Sequence, residues 1–254
     1  MVTRLITFVF AAALCTCAVR ADSLPDTVAS VRASIVAVGT IMPTRQPPVQ
    51  FAGTGFVVGS GRHVITNAHV LPARLDSQKR EQLAVISGRG QGRVHRATVV
   101  GRDTRHDLAL LSIDEGPLPA MALGQAERVR EGALYAFTGY PIGPVLGLFP
   151  VTHRGIVSAI SPIAIPQQSS QSLDLEMLRR LGKPFDVFQL DATAYPGNSG
   201  SPLYDPATGA VVGVINKVFV KESKEKILSL PSGITYAIPV THVRALMQTH
   251  RVKP

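Results

Sequence analysis

The stretch GTGFVVGSGRHVITNAHVL, residues 53–71, contains two apolar runs separated by a short glycine-containing segment. GTGFVVG (53–59) and HVITNAHVL (63–71) are both rich in β-branched residues, which pack well on a pleated sheet. Glycines bound the first run and mark the turn between the two runs. The stretch therefore predicts two strands joined by a turn.

Similar short runs continue along the chain. They cover residues 33–40, 83–87, 96–103, 107–114, 134–141, 152–160, 187–192, 210–220 and 234–239. Many short strands with turn signals, without alternating helices, indicate an all-β barrel or sandwich. Helical periodicity is limited to residues 172–182 and to an amphipathic segment at residues 239–250. The charged stretch at residues 124–135 is expected to cross between two β halves.

The first residues have the pattern of a signal peptide. A short basic start precedes an apolar run from Leu5 to Val19, and small residues at Val19 and Ala21 favour cleavage after Ala21. An uncleaved anchor is the alternative, but spanning needs about 20 apolar residues. A lipoprotein site at Cys15 or Cys17 lacks the usual small residues before it. Removing residues 1–21 leaves no cysteine and no stable membrane span, so we expect an exported bacterial protein, periplasmic or secreted, without disulfides.

The chain is basic, with 26 Lys and Arg against 17 Asp and Glu and a net charge of +9. Loss of Arg4 and Arg20 with the leader lowers this charge to +7. The densest basic patch, residues 88–102, contains no aromatic residue, so it favours a solvated surface over a nucleic-acid platform. Metal-ligand spacings are not evident, and we expect neither a metal nor a cofactor.

The segment GNSGSP, residues 197–202, is typical either of a simple tight turn or of a loop that presents a nucleophilic serine. A catalytic serine needs a turn whose backbone N–H groups point into the site. Gly197 and Gly200 flank Ser199 and permit such a turn, whereas Ser201 is followed by proline. Ser199 is the preferred nucleophile of the two.

A serine nucleophile requires a base and a carboxylate that orients it. Among the seven histidines, His69 ends a β-rich run and lies where a strand gives way to a turn. Asp107 stands at the start of the apolar strand LALL, which would carry its carboxylate to a buried edge. Asp103 is the competing acid, but its arginine neighbours favour a solvated ion pair.

TNAH, HDLALL and GNSGSP occur in the order His, Asp, Ser, and this arrangement resembles the chymotrypsin-type serine endopeptidases. GTGFVVGSGRHVITNAHVL, GIVSAI, QLDATAYPGNSGSPLYD and GITYAIP resemble the HtrA (DegP-like) branch in particular. The resemblance implies two antiparallel six-stranded β-barrels followed by a C-terminal helix, with residues 22–128 in the first barrel and 129–254 in the second. It also implies protein or peptide substrates.

The same resemblance implies residue roles. His69 is general base and then acid, Asp107 orients it, and Ser199 attacks the peptide carbonyl. The N–H groups of Gly197 and Ser199 form the oxyanion hole, and Asn198 shapes that loop.

The expected S1 pocket is small and mostly apolar. It is placed near a set of residues that precede Ser199 or lie on later strands: Thr193, Ala194, Tyr195, Ile215, Asn216 and Tyr236. An acid that would favour Arg or Lys substrates is missing at Thr193 and Ala194. The histidine typical of glutamyl endopeptidases is missing near Asn216.

The sequence departs from the HtrA pattern in two ways. Ser201 stands where that pattern usually has glycine, and a PDZ module is not expected within these 254 residues. A protease-fold binding or chaperone-like protein with little hydrolysis is the alternative function. The oligomeric state is not indicated by the sequence. Residues 141–150 and 161–185 are candidate control loops.

Overall fold

Two closed antiparallel β-barrels of six strands each make up most of the molecule. The computed structural model describes residues 24–90, 92–141, 147–163, 184–216 and 234–254. Several predicted segments lie outside these ranges: the expected leader (1–21), the predicted helix at 172–182, and the end of the predicted strand at 210–220. Half of the candidate control loop at 141–150 and most of the one at 161–185 also lie outside. The all-β, two-barrel architecture with a helix after the last strand is confirmed.

The first barrel has the strand order β1-β2-β3-β6-β5-β4. Its strands are β1 Ile35–Ile41, β2 Val49–Val58, β3 His63–Asn67, β4 Gln82–Ser87, β5 Arg93–Asp103 and β6 Leu108–Ile113. A short helix, α1 (Leu24–Val31), and a 3-10 turn at Arg32–Ser34 lead into β1. The pairing of β1 with both β2 and β4 closes the barrel.

The second barrel has the strand order β10-β11-β12-β9-β8-β7. Its strands are β7 Leu134–Gly139, β8 Val151–Pro162, β9 Asp186–Asp191, β10 Pro202–Tyr204, β11 Val211–Asn216 and β12 Ile234–Pro239. The helix α2 (Val240–Thr249) follows β12 directly. None of the helices within the described ranges has the length and apolar character required to cross a membrane.

Residues 114–133 connect the barrels, and the predicted boundary between residues 128 and 129 lies in this segment. Arg244 of α2 holds the connection in place, because its guanidinium donates to the carbonyls of Leu123 and Gly124 at 2.7 and 3.0 Å. The terminal helix therefore binds the connecting segment in addition to covering apolar surface.

Continuous apolar runs such as SIVAV and LALL arise because these strands are buried on both faces. Val36 and Val38 of β1 pack in a cluster formed only by first-barrel residues. Ile35 and Ala37, which point the other way, pack in a cluster that also includes Tyr204 of the second barrel and residues of α2. One face of each strand thus fills the barrel, and the other forms the junction between the barrels and the helix.

The strand predictions agree with the structure apart from local differences. The predicted strand at residues 63–71 ends at Asn67, and residues 68–70 form a 3-10 turn. Strand β10 was not predicted, because it has only three residues and begins with Pro202. Helix α1 was not predicted, because eight residues are too few for a clear helical period.

Candidate active site

Ser199 lies on a tight turn between β9 and β10. Gly197 and Gly200 adopt φ values of 99° and 87°, which a residue with a side chain rarely takes up. A Cβ on Gly200 would lie 2.0 Å from the carbonyl oxygen of Thr54, so the loop packs directly against strand β2. The two glycines flanking Ser199 are therefore required by conformation and, at Gly200, also by space.

The two serines of this turn differ in access. Ser199 is 7% exposed, whereas Ser201 is fully buried. The hydroxyl of Ser201 lies against Gly139, where a Cβ would approach within 2.0 Å of it. Ser201 therefore faces the protein interior, and Ser199 is the serine nearer to solvent.

His69 and Asp107 are hydrogen bonded to each other at two points. His69 lies in the 3-10 turn that follows β3, and its Nδ1 is 2.5 Å from Asp107 Oδ2. Its backbone N–H also donates to Asp107 Oδ1 at 2.9 Å. The carboxylate thereby sets both the ring orientation and the backbone position of His69.

Asp107 itself is held in an unusual conformation. Its φ of 52° is left-handed, which is costly for a residue with a side chain and persists only where surrounding contacts enforce it. The backbone N–H of Ala68 and the side-chain amide of Asn67 both donate to its carbonyl oxygen, at 3.1 and 3.0 Å. The segment that carries His69 therefore binds both the backbone carbonyl and the side-chain carboxylate of Asp107.

Asn216, expected near the substrate pocket, contacts Asp107. Its side chain is fully buried at the end of β11 and donates from Nδ2 to Asp107 Oδ2 at 2.7 Å. Asn216 belongs to the second barrel and Asp107 to the first. The amide thus connects the carboxylate to the opposite barrel, a contact between distant strands that the local sequence pattern does not reveal.

Ser199 is brought beside the His69 segment through its backbone. The N–H of Thr54 donates to the Ser199 carbonyl at 2.9 Å, and a Cβ on Gly53 would meet both this carbonyl and the Val70 side chain within 3.0 Å. No hydrogen bond joins Ser199 Oγ to the His69 ring in the described part of the chain.

Asp103, the alternative acid, is bound to a different histidine. His106 approaches Asp103 with Nδ1 at 2.6 Å from Oδ2 and donates its N–H to Oδ1 at 3.1 Å. Burial by itself would raise the pKa of Asp103, but these hydrogen bonds from His106 bring it below its usual value. The ring of His106 stacks on His242 at 3.8 Å, with Phe185 at the edge of both rings. Asp103 is thus part of a separate cluster.

The expected pocket residues fall into two groups. Thr193, Tyr195 and Tyr236 are partly exposed. Ala194 and Ile215 are buried and pack together in the core of the second barrel.

Two further residues near this loop were not identified from the sequence. Thr235 holds the loop, because its hydroxyl donates to Ala192 O at 2.6 Å and accepts from Ala194 N–H at 3.0 Å. His153 lies with its ring centroid 6.2 Å from that of Tyr195. Thr235 carried no signal in the sequence, because the face that each strand residue presents depends on barrel closure.

The described residues contain no grouping of three His, Cys, Asp or Glu side chains suited to a metal ion.

The family description Trypsin-like peptidase domain matches residues 53–214, which include Ser199, His69 and Asp107. The chain belongs to the trypsin-like peptidase family. Similar proteins include a "Probable periplasmic serine endoprotease DegP-like" of Halomonas elongata, 30% identical over 74% of this chain and 32% of the relative. A "Serine protease HTRA2, mitochondrial" of Drosophila pseudoobscura pseudoobscura is 29% identical over 80% of this chain and 40% of the relative.

Solved structures give the same result for the fold. The HtrA-type protease AlgW with a tripeptide aligns with a TM-score of 0.64 and 28% identity, over 89% of this chain and 63% of that one. AlgW with a decapeptide aligns with a TM-score of 0.65 and 26% identity, over 90% and 67%. The expected likeness to the HtrA branch is confirmed. The chain spans about a third of the length of the curated bacterial relatives that it matches.

Acidification is expected to destabilise the fold through His242. Burial, followed by repulsion from His106, lowers the pKa of His242 from 6.5 to about 4, against a partly opposing effect of Asp103. Because the pKa in the folded state is the lower one, the unfolded chain takes up a proton first as the pH falls through 6.5. The free energy of unfolding contributed by this group should therefore decline between pH 6.5 and 4.

Urea unfolding across this pH range measures the effect. The variants His242→Phe and His242→Gln cannot titrate there, so their free energy of unfolding should depend less steeply on pH than that of the wild type. Equal slopes for the wild type and both variants would show that His242 does not carry this dependence.

Proposed function

We propose that this chain is an exported serine endopeptidase that hydrolyses peptide bonds through Ser199, His69 and Asp107. The observation that carries the proposal is the paired hydrogen bond between His69 and Asp107, next to a glycine-flanked serine supplied by the other barrel. Membership of the trypsin-like peptidase family and the HtrA-type relatives support the same activity.

Ser199 acts as the nucleophile and His69 as its base. An ionised carboxylate only accepts hydrogen bonds, so a neutral His69 carries its proton on Nδ1, toward Asp107. Its Nε2 is then free to take the Ser199 proton as the hydroxyl attacks the peptide carbonyl. The same nitrogen returns the proton to the leaving amine, and an acyl-enzyme remains on Ser199. Water activated by His69 then releases the acyl group and restores the serine.

The backbone N–H groups of Gly197 and Ser199 are proposed to hold the oxyanion that forms on the attacked carbonyl. Two other backbone amides of this turn are hydrogen bonded within it: Asn198 N–H donates to Tyr195 O and Ser201 N–H donates to Asn198 O, both at 3.0 Å. These bonds favour the role because they hold the turn that carries the proposed donors. A preorganised donor pair of this kind commonly contributes a factor of about 100 or more to kcat.

The S1 pocket is proposed to accept small, apolar side chains. Thr193, Ala194 and Ile215 supply no charge, and Tyr195 adds bulk in the same loop. Burial lowers the pKa of the neighbouring His153, so at neutral pH this ring offers no positive charge to an acidic side chain. Asn216 and Tyr236 are also proposed to border this pocket, and the Asn216 amide donates to Asp107 as well.

Export rests on the N-terminal segment and on the relatives. Residues 1–21 have the pattern of a cleaved signal peptide, and several bacterial relatives are named periplasmic. Expression of the full chain in a bacterial host should give a periplasmic or secreted product. Its intact mass should equal that of a chain that begins at Asp22. A product that retains Met1, or that stays in the cytoplasm, would contradict export.

Labelling with a fluorophosphonate tests the nucleophile. The wild type should be labelled on Ser199, because such probes react with serines activated by a base. Ser199→Ala should remove the label and peptide hydrolysis. Ser201→Ala is the matched control, since it removes the neighbouring hydroxyl, which is buried, and should keep the label.

Two outcomes would count against the proposal. A folded wild type that is not labelled and cleaves no peptide would favour the protease-fold binding or chaperone-like alternative. Labelling that survives in Ser199→Ala but is lost in Ser201→Ala would show that Ser201, and not Ser199, is the nucleophile.

A peptide-library profile tests the proposed pocket. Cleavage is expected after small apolar residues such as alanine and valine, with much lower kcat/KM after arginine, lysine or glutamate. The physical reason is that a buried charge needs a partner, and the proposed pocket residues provide none. A dominant preference for a charged P1 residue would contradict this assignment.

A further inference from the structure

Thr54 lies at the junction of the two barrels, in the GTG segment of β2, and is fully buried. Each of its polar groups is hydrogen bonded. The N–H donates to Ser199 O at 2.9 Å, and the carbonyl accepts from the Thr66 hydroxyl at 2.6 Å. The hydroxyl donates to Gly197 O at 2.6 Å and accepts the N–H of Tyr140 at 2.9 Å.

Only a hydroxyl suits this place. Oγ1 of Thr54 accepts from a backbone N–H and at the same time donates to a backbone carbonyl, so it needs both capacities. A methyl group here would leave the N–H of Tyr140 and the carbonyl of Gly197 without this bond at a buried position. Neither group belongs to the strand that carries Thr54, so the contact ties three separate segments together.

The bond to Gly197 matters because Gly197 is a glycine at φ 99°. Glycine has the widest range of backbone conformations, so its geometry must be set by external contacts. Fixing the carbonyl of Gly197 restricts the rotation of that residue about its own Cα. The N–H on the same Cα is the proposed oxyanion donor, and its direction depends on this restriction.

Close packing around Thr54 leaves the loop little freedom to move away. A Cβ on Gly139 would lie 2.8 Å from Thr54 Oγ1 and 2.0 Å from Ser201 Oγ. A Cβ on Gly200 would lie 2.0 Å from Thr54 O. The end of β7, strand β2 and the serine loop therefore meet at backbone distance around one hydroxyl.

We propose that Thr54 is a positioning residue for the oxyanion loop: its hydroxyl anchors the Gly197 carbonyl to β2 and to the end of β7, and thereby aligns the Gly197 N–H for catalysis. The proposal rests on the function proposed above, since it assigns a role to Gly197 in that reaction. Thr54 does not touch the reacting atoms and acts through Gly197.

The test compares Thr54→Val, which keeps the shape but removes the hydroxyl, with Thr54→Ser, which keeps the hydroxyl. Thr54→Val should lower kcat by about 10- to 100-fold, somewhat less than the loss of an oxyanion donor itself. The value of KM should change little, and Thr54→Ser should retain kcat. Thr138→Val is the matched control, because Thr138 is a buried threonine of β7 whose hydroxyl contacts Thr152 and Tyr204.

Hydrogen–deuterium exchange supplies a readout that does not depend on activity. Amides of residues 192–201 should exchange faster in Thr54→Val than in the wild type, in Thr54→Ser or in Thr138→Val. If circular dichroism shows that Thr54→Val does not fold, Thr54→Cys replaces it in the test. A thiol is similar in size to the hydroxyl but is only a weak hydrogen-bond donor. The kcat of Thr54→Cys should lie clearly below that of Thr54→Ser.

The outcomes separate this inference from the proposed function. An active wild type with an equally active Thr54→Val or Thr54→Cys would overturn the role of Thr54 and leave the function standing. Equal losses of kcat in Thr54→Val and Thr138→Val would show that Thr54 contributes only to general stability and does not position the loop. A wild type without turnover or label would refute the function, and the exchange rates alone would then decide whether Thr54 anchors the loop.

Discussion

The carboxylate of Asp107 receives hydrogen bonds from both barrels, and the arrangement of the site depends on this. His69 donates from the first barrel and Asn216 from the second. A buried carboxylate is costly unless its oxygens are satisfied, so the two barrels must dock in a way that brings these donors to one point. Other contacts accompany the left-handed conformation of Asp107, because Ala68 N–H and the Asn67 amide both donate to its backbone carbonyl.

A second set of contacts fixes the serine loop relative to that carboxylate. The backbone of Thr54 binds Ser199, and its hydroxyl binds Gly197. On the opposite side, Gly200 N–H donates to Ile215 O and Ile215 N–H donates to Ser201 O, both at 2.9 Å. Ile215 directly precedes Asn216. The loop is therefore held between a first-barrel strand and the second-barrel strand that also supplies a donor to Asp107.

The fold was largely predictable because two-sided burial leaves a strong signal in each strand. Runs such as SIVAV, LALL and AVVGVI are apolar at consecutive positions, since one face fills a barrel and the other packs at the junction. The residues of the candidate site stand in short patterns, TNAH, HDLALL and GNSGSP, and the order of these patterns suggested the resemblance to chymotrypsin-type endopeptidases. Strand β10 is only three residues long, so its own sequence shows no such pattern. Its pairing with β7 and β11 holds it in place.

The supporting residues were not predictable. Thr54, Thr235 and Asn216 contact groups that are 40 or more positions away in the chain. Their roles depend on how the barrels close and dock, and a β-rich stretch containing threonine or asparagine looks the same whatever those side chains meet. Asn216 was expected at the substrate pocket, and its hydrogen bond to Asp107 could not be predicted from its neighbours in the chain.

The division of the candidate site between two barrels has a consequence for folding. The first barrel carries His69 and Asp107, and the second carries Ser199. Neither half alone holds the set of groups that the proposed reaction needs. If that proposal holds, activity begins only when both halves have folded and joined, and a partly folded chain cannot cleave its neighbours.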